Sequence, residues 1–238
     1  AGSGGTLFTV GSSAVEMARG GHWRAMGLLA AAPSWAPAGR AEPLLVASGS
    51  CSPVTAGQVA WARANGFAEM ALDAAWVSGA GGRGAAGGGS CSGFEGDFGG
   101  AAGNGGAGGG PEGFAAFVQQ ALEYLAEGRS LILHTGHTPV ASAPAASLGT
   151  GLGRLVKAIV TGAGSALRRL VIAGGDTSSY AARALGIEAV EMICPLAPGA
   201  PLCVAHAPGS PVHGMEIVLK GGQVGGEDYF GKMLEGNK

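Results

Sequence analysis

Charge is scarce in this sequence. Asp, Glu, Lys and Arg make up 13% of it, the formal net charge is −2, and of the fourteen basic residues only Arg168 and Arg169 are adjacent. That leaves no electrostatic basis for binding DNA, RNA or an anionic membrane. Cysteine is also sparse: Cys51, Cys91, Cys194 and Cys203 form no CxxC pair and no His/Cys spacing of a zinc site, so reduced thiols in a cytoplasmic protein are expected. No apolar run approaches about 18 residues, which excludes a membrane-spanning helix of ordinary length. The first residues, Ala1-Gly2-Ser3-Gly4-Gly5, carry neither a methionine nor a basic stretch and read as a cut edge rather than a secretory signal. Standard nucleotide fingerprints are missing as well. There is no GxxxxGK(S/T), and Gly149-Thr150-Gly151-Leu152-Gly153 misses the GxGxxG spacing by one residue, so it is expected to be a helix entry.

What is present is glycine, 48 residues of 238 against a usual share of roughly 7%. It is unevenly spread. From Ser78 to Gly113 the chain is dominated by Gly and Ala and buries too little side chain to offset its ordering entropy, so a mobile surface insertion is expected there. Elsewhere glycine punctuates a repeating pattern. Short apolar runs (Thr6–Val10, Pro43–Ala47, Ser130–Leu133, Leu170–Ala173) each end in a polar, glycine-containing turn and lead into a helical segment. The helices are expected near Ala14–Arg19, from Pro53 to Ala64 with Ser52 as cap and Asn65-Gly66 as stop, over Phe114–Glu127, and from about Gly151 to Val160. A β-rich final third follows: Val190–Cys194, a turn around Pro198-Gly199-Ala200-Pro201, Met215–Lys220, then a glycine loop opening a short helix with acidic residues in its first turn. Alternating strands and helices predict an α/β fold, a mostly parallel, Rossmann-like three-layer sheet with a β-rich C-terminal part, forming one domain over residues 1–238. Met17, Trp23, Trp61 and Trp76 are expected in core or interface positions.

Chemistry is expected at the turns. Gly11-Ser12-Ser13, Gly49-Ser50-Cys51-Ser52, His134-Thr135-Gly136-His137 and Gly174-Gly175-Asp176-Thr177 would all lie at the carboxyl ends of parallel strands, where α/β folds bind ligands. The turn from Gly174 to Thr177 is the most telling. It joins an apolar strand to an alanine-rich helix stopped by Gly186, with Asp176, Thr177 or Ser178 available as cap. Backbone N–H groups at such a helix start, together with the helix dipole, favour a phosphate. Asp176 is suited either to holding Mg2+ through water or to capping the helix. Two other patterns carry less. Gly89-Ser90-Cys91-Ser92-Gly93 mimics a nucleophile elbow but has no strand before it, and His134-x-x-His137 lacks a third metal ligand, so hydrogen-bonding duties are expected of it.

Several of these pieces, in this order, resemble the four-carbon acid sugar kinases, also known as a domain-of-unknown-function family of effector-like proteins. Phe8-Thr9-Val10-Gly11-Ser12-Ser13 is similar to the opening of the family's second half. Ser48-Gly49-Ser50-Cys51-Ser52-Pro53-Val54-Thr55-Ala56-Gly57-Gln58 is similar to its SGSCSxxTxxQ segment, and Gly174-Gly175-Asp176-Thr177-Ser178 to its GG(D/E)TS turn. Pro198–Leu202, and Leu219–Gly225 followed by Asp228-Tyr229-Phe230, complete the set. The resemblance implies the C-terminal, ATP-binding half of a kinase whose N-terminal half binds the sugar acid and is absent from this chain. ATP with Mg2+ would supply a γ-phosphoryl group to the terminal hydroxyl of threonate, erythronate or a 3-oxo-tetronate, and turnover would require the other half. Carried over by motif, the nucleotide contacts are Ser50, Gly174, Gly175, Asp176, Thr177, Gly222 and Gly225, with Lys220 a further candidate and no catalytic base assignable. ATP or ADP and the sugar acid are the implied partners, and homodimerisation is left open. Two other functions compete: a non-catalytic, effector-like interaction protein that keeps the fold, and an α/β enzyme acting on another phosphorylated ligand.

Overall fold

The computed structural model describes residues 10–11, 13–30, 34–79, 111–136 and 144–236. The chain divides into two compact units, Ala1–Trp35 and Ala36–Lys238. The described part of the first is one helix, α1 (Ser13–Ala25), with Glu16 in its first turn and His22 and Arg24 in its last, the charge order that a helix dipole favours. It runs six residues beyond the expected Arg19, through Gly20 and Gly21. Met17 and Trp23 are exposed on it rather than in a core. The strand expected at Thr6–Val10 lies outside the described residues but for Val10, and so does Ser12.

The second unit carries the sheet. Its elements in order are β1 (Leu44–Ser48), α2 (Pro53–Ala64), β2 (Ala68–Ala71), α3 (Ala74–Val77), α4 (Pro111–Ala126), β3 (Leu131–His134), α5 (Ala145–Ala163), β4 (Arg169–Ala173), α6 (Gly175–Ala184), β5 (Ala189–Ala197), β6 (Ala200–His206), β7 (Glu216–Lys220) and α7 (Tyr229–Glu235). The seven strands lie in the order β2-β3-β1-β4-β7-β6-β5. The first five are parallel to their neighbours; β6 and β5 add an antiparallel edge. β1, β3 and β4 are buried along their whole length, as strands covered on both faces must be, and hence read as unbroken apolar runs.

Alternation along each strand splits the interior in two. Leu45, Ala47, Leu131, Leu133, Leu170, Ile172 and Ile217 face a core built with α3–α6. Leu44, Val46, Ile132, Val171, Ala173 and Val218 face a second core built with α2 and α7. The result is the three-layer α/β sandwich expected. Trp76 packs half-buried on the first core and Trp61 on the second.

Three elements escaped the sequence reading. β2 (Ala68-Glu69-Met70-Ala71) and α3 are too short to show a period, and β6 begins inside the turn expected at Pro198–Pro201. The insertion expected at Ser78–Gly113 gives way earlier, since α4 starts at Pro111; residues 80–110, with Cys91 and the elbow-like Gly89–Gly93, lie outside the described residues. The boundaries expected for α2 are met closely: Ser52 caps it by accepting from the Val54 N–H at 3.2 Å, Pro53 follows, and Gly66 turns the chain at φ +92°.

Gly149–Gly153 is not a helix entry but the interior of α5. Glycine is needed there for close approach. A Cβ at Gly149 would stand 2.7 Å from Tyr180 Cβ, one at Gly153 2.8 Å from the Ala181 carbonyl, and one at Gly151 would overlap the Val77 carbonyl. Helices α3 and α6 therefore press backbone to backbone on α5, which keeps the start of α6 beside the end of β1.

At the opposite, amino-terminal edge of the sheet lies a fully buried guanidinium. Arg169 pairs with Glu216 at 2.6 Å and donates to the carbonyls of Met233 (2.5 Å) and Gly39 (3.0 Å). Burial of a charge is tolerable only with such complete pairing, and here it fastens α7 and the segment before β1 to β4.

Alanine for glycine in an ordinary helix interior gains about 1 kcal/mol. Gly151→Ala is expected to lose roughly 1–3 kcal/mol instead, because a backbone carbonyl must move to admit the methyl group. Urea unfolding of the two proteins checks this, and an unchanged or raised midpoint would contradict the packing described.

Candidate functional site

The winding direction reverses between β1 and β4: from β1 the chain goes out to β2 and β3 on one side, then crosses back to β4 and on to β7. In open α/β sheets ligands settle at such a reversal, outside the carboxyl ends of the strands. Ser48, Ala173 and Lys220 are register partners there, so the loops after β1, β4 and β7 leave from one level. They are tied together at once. The Gly49 N–H donates to the Ala173 carbonyl (3.1 Å) and the Gly174 N–H to the Lys220 carbonyl (2.9 Å).

Those loops touch through positions that cannot carry a side chain. A Cβ on Gly49 would meet Thr177 Oγ1 at 2.6 Å, and one on Gly222 would meet Ser50 Oγ at 2.9 Å. Gly174, at φ +120°, is in a backbone region closed to other residues, with Thr177 and the Ser50 N–H beside it. Ser50, Gly174, Thr177 and Gly222 thus meet where the three loops touch, and Gly175 and Asp176 are exposed in the first turn of the helix that follows. Gly225 lies three residues beyond Gly222 on the same loop, packed over the Tyr229 ring so tightly that a Cβ would overlap it.

The helix start differs from expectation in one respect. Gly174 is the N-cap of α6, and no side chain caps it. Asp176 is exposed in the first turn, Thr177 is buried against Gly49, and Ser178 Oγ donates to the Ile172 carbonyl at 3.0 Å. The reason is the abruptness of the turn: β4 ends at Ala173 and the helix begins two residues later, leaving no extended residue whose side chain could reach back. The N–H groups of the first turn are consequently left to an outside acceptor.

Ser50 is buried, and its hydroxyl accepts from the Ser52 N–H at 3.2 Å while facing Gly222. The third turn contributes less. His134 Nε2 lies 2.9 Å from Glu69 Oε1, and its Nδ1 accepts from the Gly136 N–H at 3.1 Å, so both ring nitrogens are occupied; His137 lies outside the described residues. Among the described residues no three His, Cys, Asp or Glu side chains gather around a common point. The three described cysteines carry no disulfide, and no described helix is long and apolar enough to cross a membrane. The acidic pair Glu227-Asp228 precedes α7 instead of occupying its first turn, and Asp228 pairs with Lys232 at 2.9 Å.

Lys220 lies beneath the loop that follows it. Its side chain is fully buried, and Nζ donates to Thr55 Oγ1 (3.0 Å), the Gly221 carbonyl (3.0 Å) and the Gly222 carbonyl (3.3 Å). Burial lowers its pKa from 10.5 to about 8. The folded protein therefore binds less of this proton than the unfolded chain between pH 8 and 10.5, so the contribution of Lys220 to stability rises with pH across that window. Comparing unfolding free energies of the wild type and Lys220→Met over the same range, the difference is expected to move in favour of the wild type as pH increases; a flat difference would mean that the ammonium is not desolvated.

A family profile described as a nucleotide-binding C-terminal domain matches residues 107–230. The chain is 34% identical, over 97% of its length and 46% of the relative's, to the 3-oxo-isoapionate kinase of Paraburkholderia graminis. It is 32% identical over 130 residues, 29% of the relative's length, to the 3-oxo-tetronate kinase of Pseudomonas fluorescens. The chain thus spans less than half the length of these curated relatives. Among solved structures, a protein of unknown function from Bordetella bronchiseptica, a domain-swapped dimer with bound citrate, shares the fold at a TM-score of 0.57 and 19% identity, over 82% of this chain and 41% of that one. A Haemophilus influenzae protein does so at a TM-score of 0.51 and 18% identity, over 88% and 43%. With the profile matching more than half of its residues, the chain belongs to the family of nucleotide-binding C-terminal domains carried by the four-carbon acid sugar kinases.

Proposed function

We propose that this chain is the ATP-binding half of a kinase that transfers the γ-phosphoryl group of ATP to the terminal hydroxyl of a four-carbon acid sugar or a closely related 3-oxo acid. The observation that carries the reading is the meeting of three glycine turns, after β1, β4 and β7, at the reversal point of the sheet, beside a helix start that no side chain caps. The relatives named as kinases of 3-oxo-isoapionate and 3-oxo-tetronate support the reaction class.

Phosphoryl transfer asks a protein chiefly for positioning and for stabilisation of charge on the moving group. In this reading the first-turn N–H groups of α6 hold phosphate oxygens, with the helix dipole adding to their attraction. The Ser50 hydroxyl, beside Gly222, and the Thr177 hydroxyl, beside Gly49 and Gly174, are side-chain donors at the junction of the loops. The absence of bulk at Gly49, Gly174 and Gly222 lets the backbone approach the phosphate chain. The residues present suit Mg2+ held mainly by the nucleotide: one exposed carboxylate, Asp176, stands at the helix start, and an ion of this kind commonly takes one or two carboxylates plus phosphate oxygens. When bound, Mg2+ would neutralise charge on the phosphates. Acceptor binding and activation belong, in this reading, to the part of the longer kinases that the chain does not span.

Gly175 offers a clean test, since a Cβ built there meets nothing within 4 Å. Mg-ADP is expected to raise the melting temperature of the wild-type chain by mass action. Gly175→Leu is expected to melt unchanged without ligand and to bind ADP at least about tenfold more weakly, because the side chain screens the first-turn amides, a loss of roughly 1.4 kcal/mol. Calorimetry with ADP measures both. No heat from the wild type at millimolar ADP, or equal affinity of the two proteins, would overturn the reading.

A further inference from the structure

Three polar side chains lie buried beneath the loop after β7, away from its outer surface: Lys220, and Thr55 and Gln58 from the facing side of α2, all fully buried. Thr55 Oγ1 donates to the Gly222 carbonyl at 2.9 Å and accepts from Lys220 Nζ at 3.0 Å. Gln58 Nε2 donates to three successive carbonyls, those of Val224 (3.0 Å), Gly225 (3.2 Å) and Gly226 (2.9 Å). Together the three residues bind the carbonyls of Gly221, Gly222, Val224, Gly225 and Gly226 from below.

The consequence follows from the planarity of the peptide unit. In a trans peptide the C=O of one residue and the N–H of the next point in opposite directions. With five carbonyls drawn inward to α2 and Lys220, the N–H groups of Gly222, Gln223, Gly225, Gly226 and Glu227 are turned outward. Gln223, Gly225, Gly226 and Glu227 are themselves exposed. Successive backbone N–H groups presented in this way form an anion-binding concavity. A loop of this composition, Gly221-Gly222-Gln223-Val224-Gly225-Gly226, has little preference of its own for any one conformation, so the orientation has to be imposed from beneath.

We propose that Lys220, Thr55 and Gln58 are positioning residues: they turn the amides of residues 222–227 outward, so that the loop serves as a second phosphate-binding element beside the start of α6. This rests on the nucleotide reading above. The buried ammonium has a further role in keeping with it, since a positive charge beneath the loop strengthens the outward pull on an anion without touching it. Its pKa of about 8 keeps it charged at neutral pH.

Thr55→Val keeps the shape of the side chain and removes only the hydroxyl that links Lys220 to Gly222. The measurements are backbone amide order parameters of the ligand-free chain, by NMR relaxation, and calorimetry with ADP. Thr55→Val is expected to lower the order parameters of residues 222–227 from the rigid range of about 0.85 toward the flexible range below about 0.6, to leave those of β1, β4 and β7 unchanged, and to weaken ADP binding about fivefold, the equivalent of one ordinary hydrogen bond. Thr55→Ser, which restores the hydroxyl, is expected to return both quantities to near the wild-type values, and Lys220→Met to behave as Thr55→Val does. Loop order and affinity unchanged in both Thr55→Val and Lys220→Met would overturn the proposal, and so would a loss of order spread evenly over the sheet. Should the wild type bind no ADP, the nucleotide reading fails, while the ligand-free order parameters still decide whether these residues hold the loop.

Discussion

Ser48, Ala173 and Lys220 end three neighbouring parallel strands in register, so three loops set out from the same height on the same side of the sheet. Loops so close cannot all carry side chains at their first positions. Gly49 faces Thr177, Gly174 faces Ser50, and Gly222 faces Ser50 and Ser52. The glycines are thus a packing requirement before they are a binding feature. The same requirement suits the proposed binding role, because loops without bulky side chains at their roots let the backbone beyond them be approached closely. The glycines inside α5 extend this logic: by admitting α3 and α6 to backbone contact, they hold the start of α6 where the β1 loop can meet it.

The fold was largely legible in the sequence because buried parallel strands leave unbroken apolar runs. Leu44–Ala47, Leu131–Leu133 and Leu170–Ala173 need no periodicity to be seen. β2 and β6 were hidden for opposite reasons. β2, with Ala68 and Ala71 at its ends and a glutamate between, has almost no apolar contrast, whereas β6 follows a Pro-Gly turn so closely that its first residues read as part of it. The length of α5 was missed because Gly149, Gly151 and Gly153 look like helix breakers until their neighbours are known.

At the site, the turns were legible and the side chains supporting them were not. Ser50, Gly174 and Gly222 announce themselves as small residues at strand ends. Thr55 and Gln58 stand three apart on the face of α2 that also buries Val59 and Ala62, and polar residues on such a face are the only local hint of their task. Their partners lie about 167 residues away in the chain, a distance over which composition and periodicity carry no information. Lys220 illustrates the same limit: a lysine beside a glycine loop suggests a phosphate ligand, and only the fold reveals an ammonium turned beneath it.

Arg169 gives the molecule a reach that its position does not suggest. It sits at the far end of β4, yet through the Met233 carbonyl it anchors α7, and the first residue of α7, Tyr229, forms the floor under Gly225. The helix acts as a strut between the two rims of the sheet. Disturbing the guanidinium at one rim would therefore loosen the glycine loop at the other without altering any residue near it.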